Sequence, residues 1–499
     1  MNPVWQQLTL SNLPLRQWRS ASYLYHLIGL LQSWRQSSWL MQWSEPLGAL
    51  LVSLVFALAP FVSNDLIGLL LIACGGFWAL ITLSDEVEIP EKEQETRVEE
   101  TPKIWENSPF PIPHSPFPIP KFTPIHLLAL LYWAISVVAT ALSPVKAAAL
   151  TGLIKLTLYL LFFALMARVL RSARIRSFLI TLYLHVALIV SIYGLRQWFF
   201  GAAQLATWVD PESPLAKTTR VYSYLGNPNL LAAYLLPAIA LSLAAIFSWR
   251  GIFPKALAVI MLVVNSTCLI LTFSRGGWIG FVVILFTFTL LLLYWLSIRL
   301  PHFWRTWSIP ILLGSLAFLL VVGIALVEPL RDRVFSMFAG REDSSNNFRI
   351  NVWAAVQEMI RDRPIIGIGP GNNAFNKIYP LYMRPRFSAL SAYSVLLEVA
   401  VETGLIGLTC FLWLLLVTFN QGWLQLRRLR EIASREAFWL MGAVASLLGL
   451  LSHGAFDTVL YRPEVNTLWW MMIALIASYY TIYQPLERVK LAAEEEIQE

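Results

Sequence analysis

The sequence predicts an all-α, polytopic integral membrane protein with one long outer loop, and composition, span length and charge sorting carry that prediction. Hydrophobic residues make up 57% of the 499 residues and charged residues only 13%, with a mean hydropathy of +0.61. A chain this apolar cannot surround a water-soluble core with a polar surface, so the bilayer has to be its solvent. Stretches of about 20 apolar residues recur along it, enough for about twelve transmembrane helices. They fall at 46–63, 66–83, 125–142, 147–167, 178–200, 230–247, 256–273, 278–296, 307–327, 396–419, 438–456 and 466–483. The three cysteines, Cys74, Cys268 and Cys410, lie inside these spans without metal-ligand spacing and read as small core residues.

Orientation follows from the basic residues, because short cytoplasmic loops retain Lys and Arg. With the N-terminus inside, the short inner segments hold 21 Lys and Arg and the short outer loops 5, namely Lys146, Lys217, Arg220, Arg275 and Arg462. A multi-pass protein of the cytoplasmic (inner) membrane with both termini cytoplasmic is expected. The formal charge of +7 reflects this sorting and the attraction of anionic headgroups, so the lipid bilayer is the expected partner and nucleic acid is not.

Between these spans the chain divides further. Residues 1–45 hold Trp5, Trp18, Trp34, Trp39 and Trp43 among scattered arginines, a mixture suited to an interfacial cytoplasmic arm. Residues 46–83 form a first transmembrane hairpin. Residues 84–122 start acidic and become Pro-rich, which predicts an extended cytoplasmic linker. A transmembrane domain covers 123–483, interrupted by the outer loop 328–393, and 484–499 form a cytoplasmic tail. Trp353, Phe375, Tyr379 and Tyr382 within the loop predict an ordered and functional element.

Candidate chemistry gathers at the outer face. Arg275 sits in a tight turn between two apolar helices, where an always-charged guanidinium needs an anion or a carboxylate partner. Arg220 precedes Gly-Asn-Pro-Asn, whose Asn229 is placed to cap a helix. Arg196 near the end of its own helix completes an expected trio of arginines for phosphate or carboxylate oxygens. The run Gly367-Ile-Gly-Pro-Gly-Asn-Asn is either an anion-binding set of backbone N–H groups or a plain turn. Glu398 and Glu402 share a helix face; Asp457 ends another span, with His453 one turn earlier on the same face. Intramembrane carboxylates are functional candidates or structural partners of arginine. No metal or cofactor motif is recognised.

Arg220 with Gly-Asn-Pro-Asn, Ser-Arg-Gly-Gly at 274–277, Gly-Ile-Gly-Pro-Gly-Asn at 367–372, and Tyr393-Ser394 followed by Gly404-Leu-Ile-Gly407 resemble the O-antigen ligase and polymerase superfamily. The resemblance spans roughly 120–480. The Leu-Ser-Ala-Tyr-Ser segment and His-Gly-Ala-Phe-Asp-Thr at 453–458 are most similar to the cyanobacterial IctB family of bicarbonate transporters. Two functions follow from it. The branch implies transport or accumulation of bicarbonate, an anionic small molecule. The superfamily implies an outer-face glycosyltransferase, a metal-independent glycan ligase or polymerase that moves a glycan from a polyprenyl-pyrophosphate donor to an acceptor hydroxyl. In that case Arg220 and Arg275 would bind the pyrophosphate, with Arg196, Asn229, Glu402 and Asp457 as further binding groups. The ligases have a loop His where this chain has Tyr393. A phenol with a pKa of about 10 is a poor base near pH 7, so Glu398 becomes the alternative proton acceptor. Neither function requires a cofactor.

Overall fold

The computed structural model describes residues 3–11, 30–85, 122–202, 220–297, 301–326, 331–332, 334–335 and 340–481. Regular structure among them is helical throughout. Three short helices, α1 (Pro3–Leu8), α2 (Gln32–Ser37) and α3 (Trp39–Gln42), come first. The first apolar series is α4 (Ser44–Leu58), α5 (Asn64–Leu83), α6 (Pro124–Ala141), α7 (Lys146–Val169) and α8 (Ala173–Phe200). It continues with α9 (Pro228–Ser248), α10 (Ile252–Leu271), α11 (Arg275–Leu296) and α12 (His302–Leu326). Two helices, α13 (Ser344–Asp362) and α14 (Asn372–Ile378), belong to the predicted loop, and α15 (Val395–Glu431), α16 (Glu436–Gly454) and α17 (Pro463–Ser478) close the chain.

Nine described helices, α5 to α11 with α15 and α16, have the length and hydropathy to cross a bilayer, which makes this a multi-pass membrane protein. Helices α4, α12 and α17 stand at the other three expected spans. Two of them are shorter than expected. α4 has 15 residues and α17 has 16, which at 1.5 Å per residue is about 22–24 Å, below the hydrocarbon thickness of about 30 Å. Pro60, without an N–H to donate, follows the end of α4, and Pro463 fixes the start of α17.

The centre of the bundle is α9, apolar on every side and buried on every side, packed against α10, α11 and α16. Glycines bring the neighbouring helices close. A Cβ at Gly280 would lie 2.7 Å from the Gly449 carbonyl oxygen of α16, and one at Gly277 would lie 2.6 Å from Ala232 of α9. Small residues at such crossings allow backbone-to-backbone packing where lipid supplies no hydrophobic drive between helices. The glycines of Ser-Arg-Gly-Gly-Trp-Ile-Gly are thus packing residues, and they hold Arg275 between the starts of α9 and α11 and the end of α16.

The Gly-rich run has a different purpose from either sequence expectation. α15 breaks at Gly404, whose φ is +69°, and the break strands the carbonyls of Val401 and Glu402. Ile368 and Gly369 donate their N–H groups to those two carbonyls at 2.9 Å, and Leu405 donates to the Pro364 carbonyl at 2.7 Å. A Cβ at Gly404 would meet the Ile365 oxygen at 2.2 Å, so only glycine admits this approach. The run repairs a broken transmembrane helix from outside. On its other side it presses on α7, where a Cβ at Gly152 would lie 1.9 Å from the Pro370 oxygen.

Within the predicted loop, α13 packs Val352, Ala355, Val356 and Met359 against Ile368, Phe375 and Tyr379 to form a small core of its own. The far end of the bundle is tied by ion pairs. Arg168 grips Asp85 with two bonds of 2.6 and 2.8 Å, and Arg176 meets Glu436 at 2.5 Å. At that end α1 docks on α15, with Trp5 Nε1 donating to Asn420 Oδ1 at 3.1 Å and Trp413 Nε1 to the Leu8 carbonyl at 2.6 Å. The predicted linker over 86–121 and the tail beyond 481 lie outside the described residues.

Candidate functional site

The starts of α9 and α11, the end of α16 and the first turns of α13 meet at one end of the bundle. Between them is a pocket of about 40 Å³ lined by Arg220, Asn229, Ser274, Arg275, Gly276, Ser345, Arg349, His453, Phe456 and Asp457. Each lining residue is fixed by its element. Asn227 caps α9, its Oδ1 accepting the N–H of Asn229 at 2.8 Å, which points Asn229 outward from the first turn. Asn229 Nδ2 then donates to Asp457 Oδ2 at 2.7 Å and its Oδ1 accepts from Arg220 Nη2 at 3.2 Å. Arg220 Nε donates to the Thr272 carbonyl at 2.9 Å, which anchors the chain entering α9 to the end of α10. Ser274 caps α11 by accepting the N–H of Gly277 at 3.2 Å.

Arg275 has the carboxylate partner its position demands. Its Nη2 donates to Asp343 Oδ1 at 2.7 Å and its Nη1 to Asn346 Oδ1 at 2.9 Å. Asp343 also caps α13, accepting the Asn346 N–H at 2.8 Å, so one carboxylate fixes both the guanidinium and the helix beside it. Arg349, on the next turn of α13, donates through Nε to the Phe456 carbonyl at 2.8 Å and through Nη1 to Ser345 Oγ at 2.7 Å. Those bonds leave Nη1 of Arg220 and Nη2 of Arg349 without a partner among the described residues.

The structure therefore assembles a trio of arginines, with Arg349 in the place expected for Arg196. Arg196 is exposed on α8, its guanidinium 5.8 Å from the Tyr193 ring, and takes no part in the pocket lining. No motif distinguishes Arg349 in the sequence. The only local signal is Asp343 as a helix cap, which would have set α13 and hence the face that Arg349 shares with Ser345.

Glu398, Glu402 and Tyr393 are not among the residues that line the pocket. Glu398 Oε2 accepts the Ala392 N–H at 2.6 Å and lies 3.5 Å from Thr458 Oγ1, while Ser394 donates its N–H to the same Thr458 oxygen at 3.1 Å. Glu398 thus orders the turn that leads into α15. Glu402 Oε1 accepts the Gly371 N–H at 2.7 Å, serving the repaired break. Tyr393 takes a left-handed backbone conformation, φ +52°, with its ring edge-on to Phe348 at 5.3 Å.

Charge around the pocket is net positive: three guanidiniums line it with the carboxylate of Asp457, and Asp343 pairs with one of them, Arg275. Burial pushes Arg220 down to about 10, with repulsion from Arg275 and Arg349 adding to it and Asp457 opposing it. Arg349 is lowered by burial as well, against the pull of Asp457. Both stay charged at neutral pH, and an incoming anion would relieve their mutual repulsion. The first turns of α9, α11 and α13, with the partial positive charge of helix N-termini, add to the same field. The Tyr393 phenol is pushed up to about 12 by burial first and by Asp457 second.

Fold and site together define a polytopic α-helical membrane protein with an arginine-lined pocket at one end of its bundle. Residues 256–412 match the family model for O-antigen ligases, a stretch that carries Arg275, Asp343, Arg349, Tyr393 and Glu398. Over that stretch the chain is similar to O-antigen ligases, which supports the ligase-like superfamily. A search of curated proteins found no match.

Proposed function

We propose that this protein is a glycan transferase of the inner membrane that holds a polyprenyl-pyrophosphate-linked donor at the Arg220–Arg275–Arg349 pocket. In this reading the pocket end faces the periplasm and both termini are cytoplasmic, as the sorting of basic residues implies. The observation that carries the reading is the convergence of three guanidiniums from three separate elements on one pocket. A pyrophosphate has enough negative charge and oxygen atoms to engage several guanidinium forks at once, and bidentate bonding fixes its orientation. The acceptor hydroxyl attacks the anomeric carbon, the bond to the pyrophosphate oxygen breaks, and the guanidiniums stabilise the charge that develops on the leaving group. The pocket is small, about 40 Å³, and in this reading it holds the phosphate oxygens of the donor. In this mechanism Glu398 orders the 392–394 turn, consistent with both its hydrogen-bonding partners.

The same small volume favours a second reading, in which the pocket handles bicarbonate and the O-antigen ligase-like frame serves inorganic-carbon uptake. Titration of the purified protein in lipid nanodiscs with inorganic pyrophosphate and with bicarbonate separates the two. The transferase reading expects pyrophosphate to bind and Arg220→Ala or Arg349→Ala each to weaken it by about 10- to 100-fold, the worth of a charge-assisted hydrogen bond. Binding of bicarbonate with no binding of pyrophosphate would overturn it.

A further inference from the structure

Both ends of α13 are tied to the same end of the bundle. Its first turn meets Arg275 at the start of α11, and Pro364, just past its last residue, accepts the Leu405 N–H at 2.7 Å where α15 breaks. α13 therefore lies across that end, and its flanks sit at the level where a bilayer places lipid headgroups. Ser345 and Arg349 carry one side of α13 into the arginine pocket. Asn347 and Asn351 come two residues after them, about 200° round the helix, and take the other side.

On that side Asn351 is buried, and its Nδ2 donates to the Asn347 carbonyl at 2.8 Å and to Asn347 Oδ1 at 3.0 Å, which orients its amide. Its Oδ1 accepts from Arg384 Nη1 at 3.0 Å and from Arg341 Nη1 at 3.4 Å, and Asn347 Oδ1 accepts from the same Arg341 nitrogen at 3.3 Å. Two guanidiniums thus converge on one neutral oxygen. Neither has an ion pair among the described residues. Asp343 pairs with Arg275, Asp362 accepts from the Tyr382 hydroxyl at 2.7 Å, and Glu342 bonds neither arginine. Like charges held together on a neutral acceptor, each with fork N–H groups still open, are relieved by an oxyanion that bridges them.

The segment that carries Arg384 is held in place. Phe387 donates its N–H to the Arg384 carbonyl at 3.1 Å and accepts from the Tyr379 hydroxyl at 2.6 Å, and its ring packs on Phe348 of α13 at 6.2 Å. Arg386 between them has a φ of +77°, a left-handed conformation that persists in a non-glycine residue only where its surroundings impose it. Next to the cations the same segment is apolar and uncovered. Leu381, 77% exposed, and Met383 flank Tyr382, whose bond to Asp362 sets them by the end of α13. Ile365 at the repaired break is exposed as well, like Leu405 and Ile406 of α15. Cationic forks bordered by exposed apolar side chains match a ligand with an acidic head and a hydrocarbon tail.

We infer that the Arg341–Arg384 pair, seated on Asn351, is a second anion site, which takes the phosphate headgroup of an acidic phospholipid, with Leu381 and Met383 against its acyl chains. Arginines that only skim a headgroup layer need no buried amide beneath them, whereas here one amide fixes both forks. The inference stands whichever anion fills the Arg220–Arg275–Arg349 pocket.

Native mass spectrometry of the full-length protein, offered phosphatidylglycerol and phosphatidylcholine in equal amounts, counts the lipids retained. Wild type is expected to prefer phosphatidylglycerol. Arg384→Gln and Arg341→Gln are each expected to retain one fewer, its affinity weakened by about 10- to 100-fold for a lost hydrogen bond to a charged group, at an unchanged unfolding temperature. Joint replacement Leu381→Ser and Met383→Ser is expected to weaken the same lipid by about 10-fold, and tests the site even if the arginine variants do not fold. Equal retention of the two lipids by wild type would overturn the inference, as would arginine variants that retain phosphatidylglycerol like wild type. Lipid loss only in variants that also unfold at lower temperature would overturn it too, since the arginines would then be holding α13 in place. Displacement of the lipid by equimolar inorganic phosphate would overturn the lipid assignment in favour of a free oxyanion.

Discussion

Arg275 and Asp343, 68 residues apart in the chain, form the 2.7 Å ion pair that docks the polar helix α13 on the start of α11. Asp343 does this while capping α13, so charge and helix geometry depend on one side chain. Replacing it by Asn keeps a good cap and removes the charge; replacing it by Ala removes both, at a cost of about 1 kcal/mol for the cap. Hydrogen exchange over 344–362 should rise in Asp343→Asn and rise further in Asp343→Ala. Equal exchange in the two variants would mean that the ion pair alone orders the helix, and wild-type exchange in Asp343→Asn that the cap alone does.

Arg349 reaches the Phe456 carbonyl and Ser345 through two different nitrogens of one planar fork. Lysine has the charge without the fork. Arg349→Lys is expected to retain less than about a tenth of wild-type pyrophosphate affinity, as expected for loss of a hydrogen bond worth about 1.5–3 kcal/mol to a charged group. Calorimetric titration in nanodiscs reads this directly, and full affinity in the lysine variant would reduce Arg349 to a point charge.

Gly280 meets the Gly449 carbonyl where α11 crosses α16. Gly280→Ala has to push the two helices apart and should cost about 1–3 kcal/mol by overpacking. Since Arg275, Ser274 and His453 lie on these same two helices, the variant should weaken anion binding along with thermal stability in detergent. Loss of stability with unchanged binding would separate the crossing from the pocket.

The Tyr393 phenol, held up near 12 by burial and by Asp457, is neutral over the physiological range. Its folded-state pKa lies above the ordinary value of about 10, so any stability it contributes is complete below about pH 10 and is lost as pH rises through about 12. Tyr393→Phe should therefore leave the pH profile of polyprenyl pyrophosphate release between about pH 6 and 9 unchanged. Tyr393→His, by contrast, should bring to the site a group whose ordinary value is about 6.5 and change the acid side of that profile.

The bundle was legible in the sequence because a transmembrane helix is announced by its own composition: α9 and α16 read as apolar runs whatever they pack against. Arg220, Asn229, Arg275 and Asp457 were legible as a group because all four sit at span ends on one face, and helix ends have few places to be. Arg196 met the same criterion and was misplaced by it, since position along a helix does not say which way a side chain turns; on α8 it turns to Tyr193. Arg349 was invisible for the opposite reason. It lies on an amphipathic helix outside the bundle and reaches the pocket only because Asp343 draws that helix onto Arg275. The Gly-rich run has a repeating pattern that suggests a ligand-binding loop, and its use in repairing α15 at Gly404 depends on pairings between Ile368–Gly369 and Val401–Glu402 that sequence alone does not reveal.

The central claim, an anion pocket that serves glycan transfer, is tested most directly by the surface polysaccharide and lipid-linked glycan profile of a deletion strain complemented with wild type or with Arg275→Ala. Loss of a surface glycan species and accumulation of its lipid-linked donor are expected, both reversed by wild type and neither by Arg275→Ala. An unchanged profile in the deletion strain would contradict it and would turn attention to bicarbonate flux through the same three arginines.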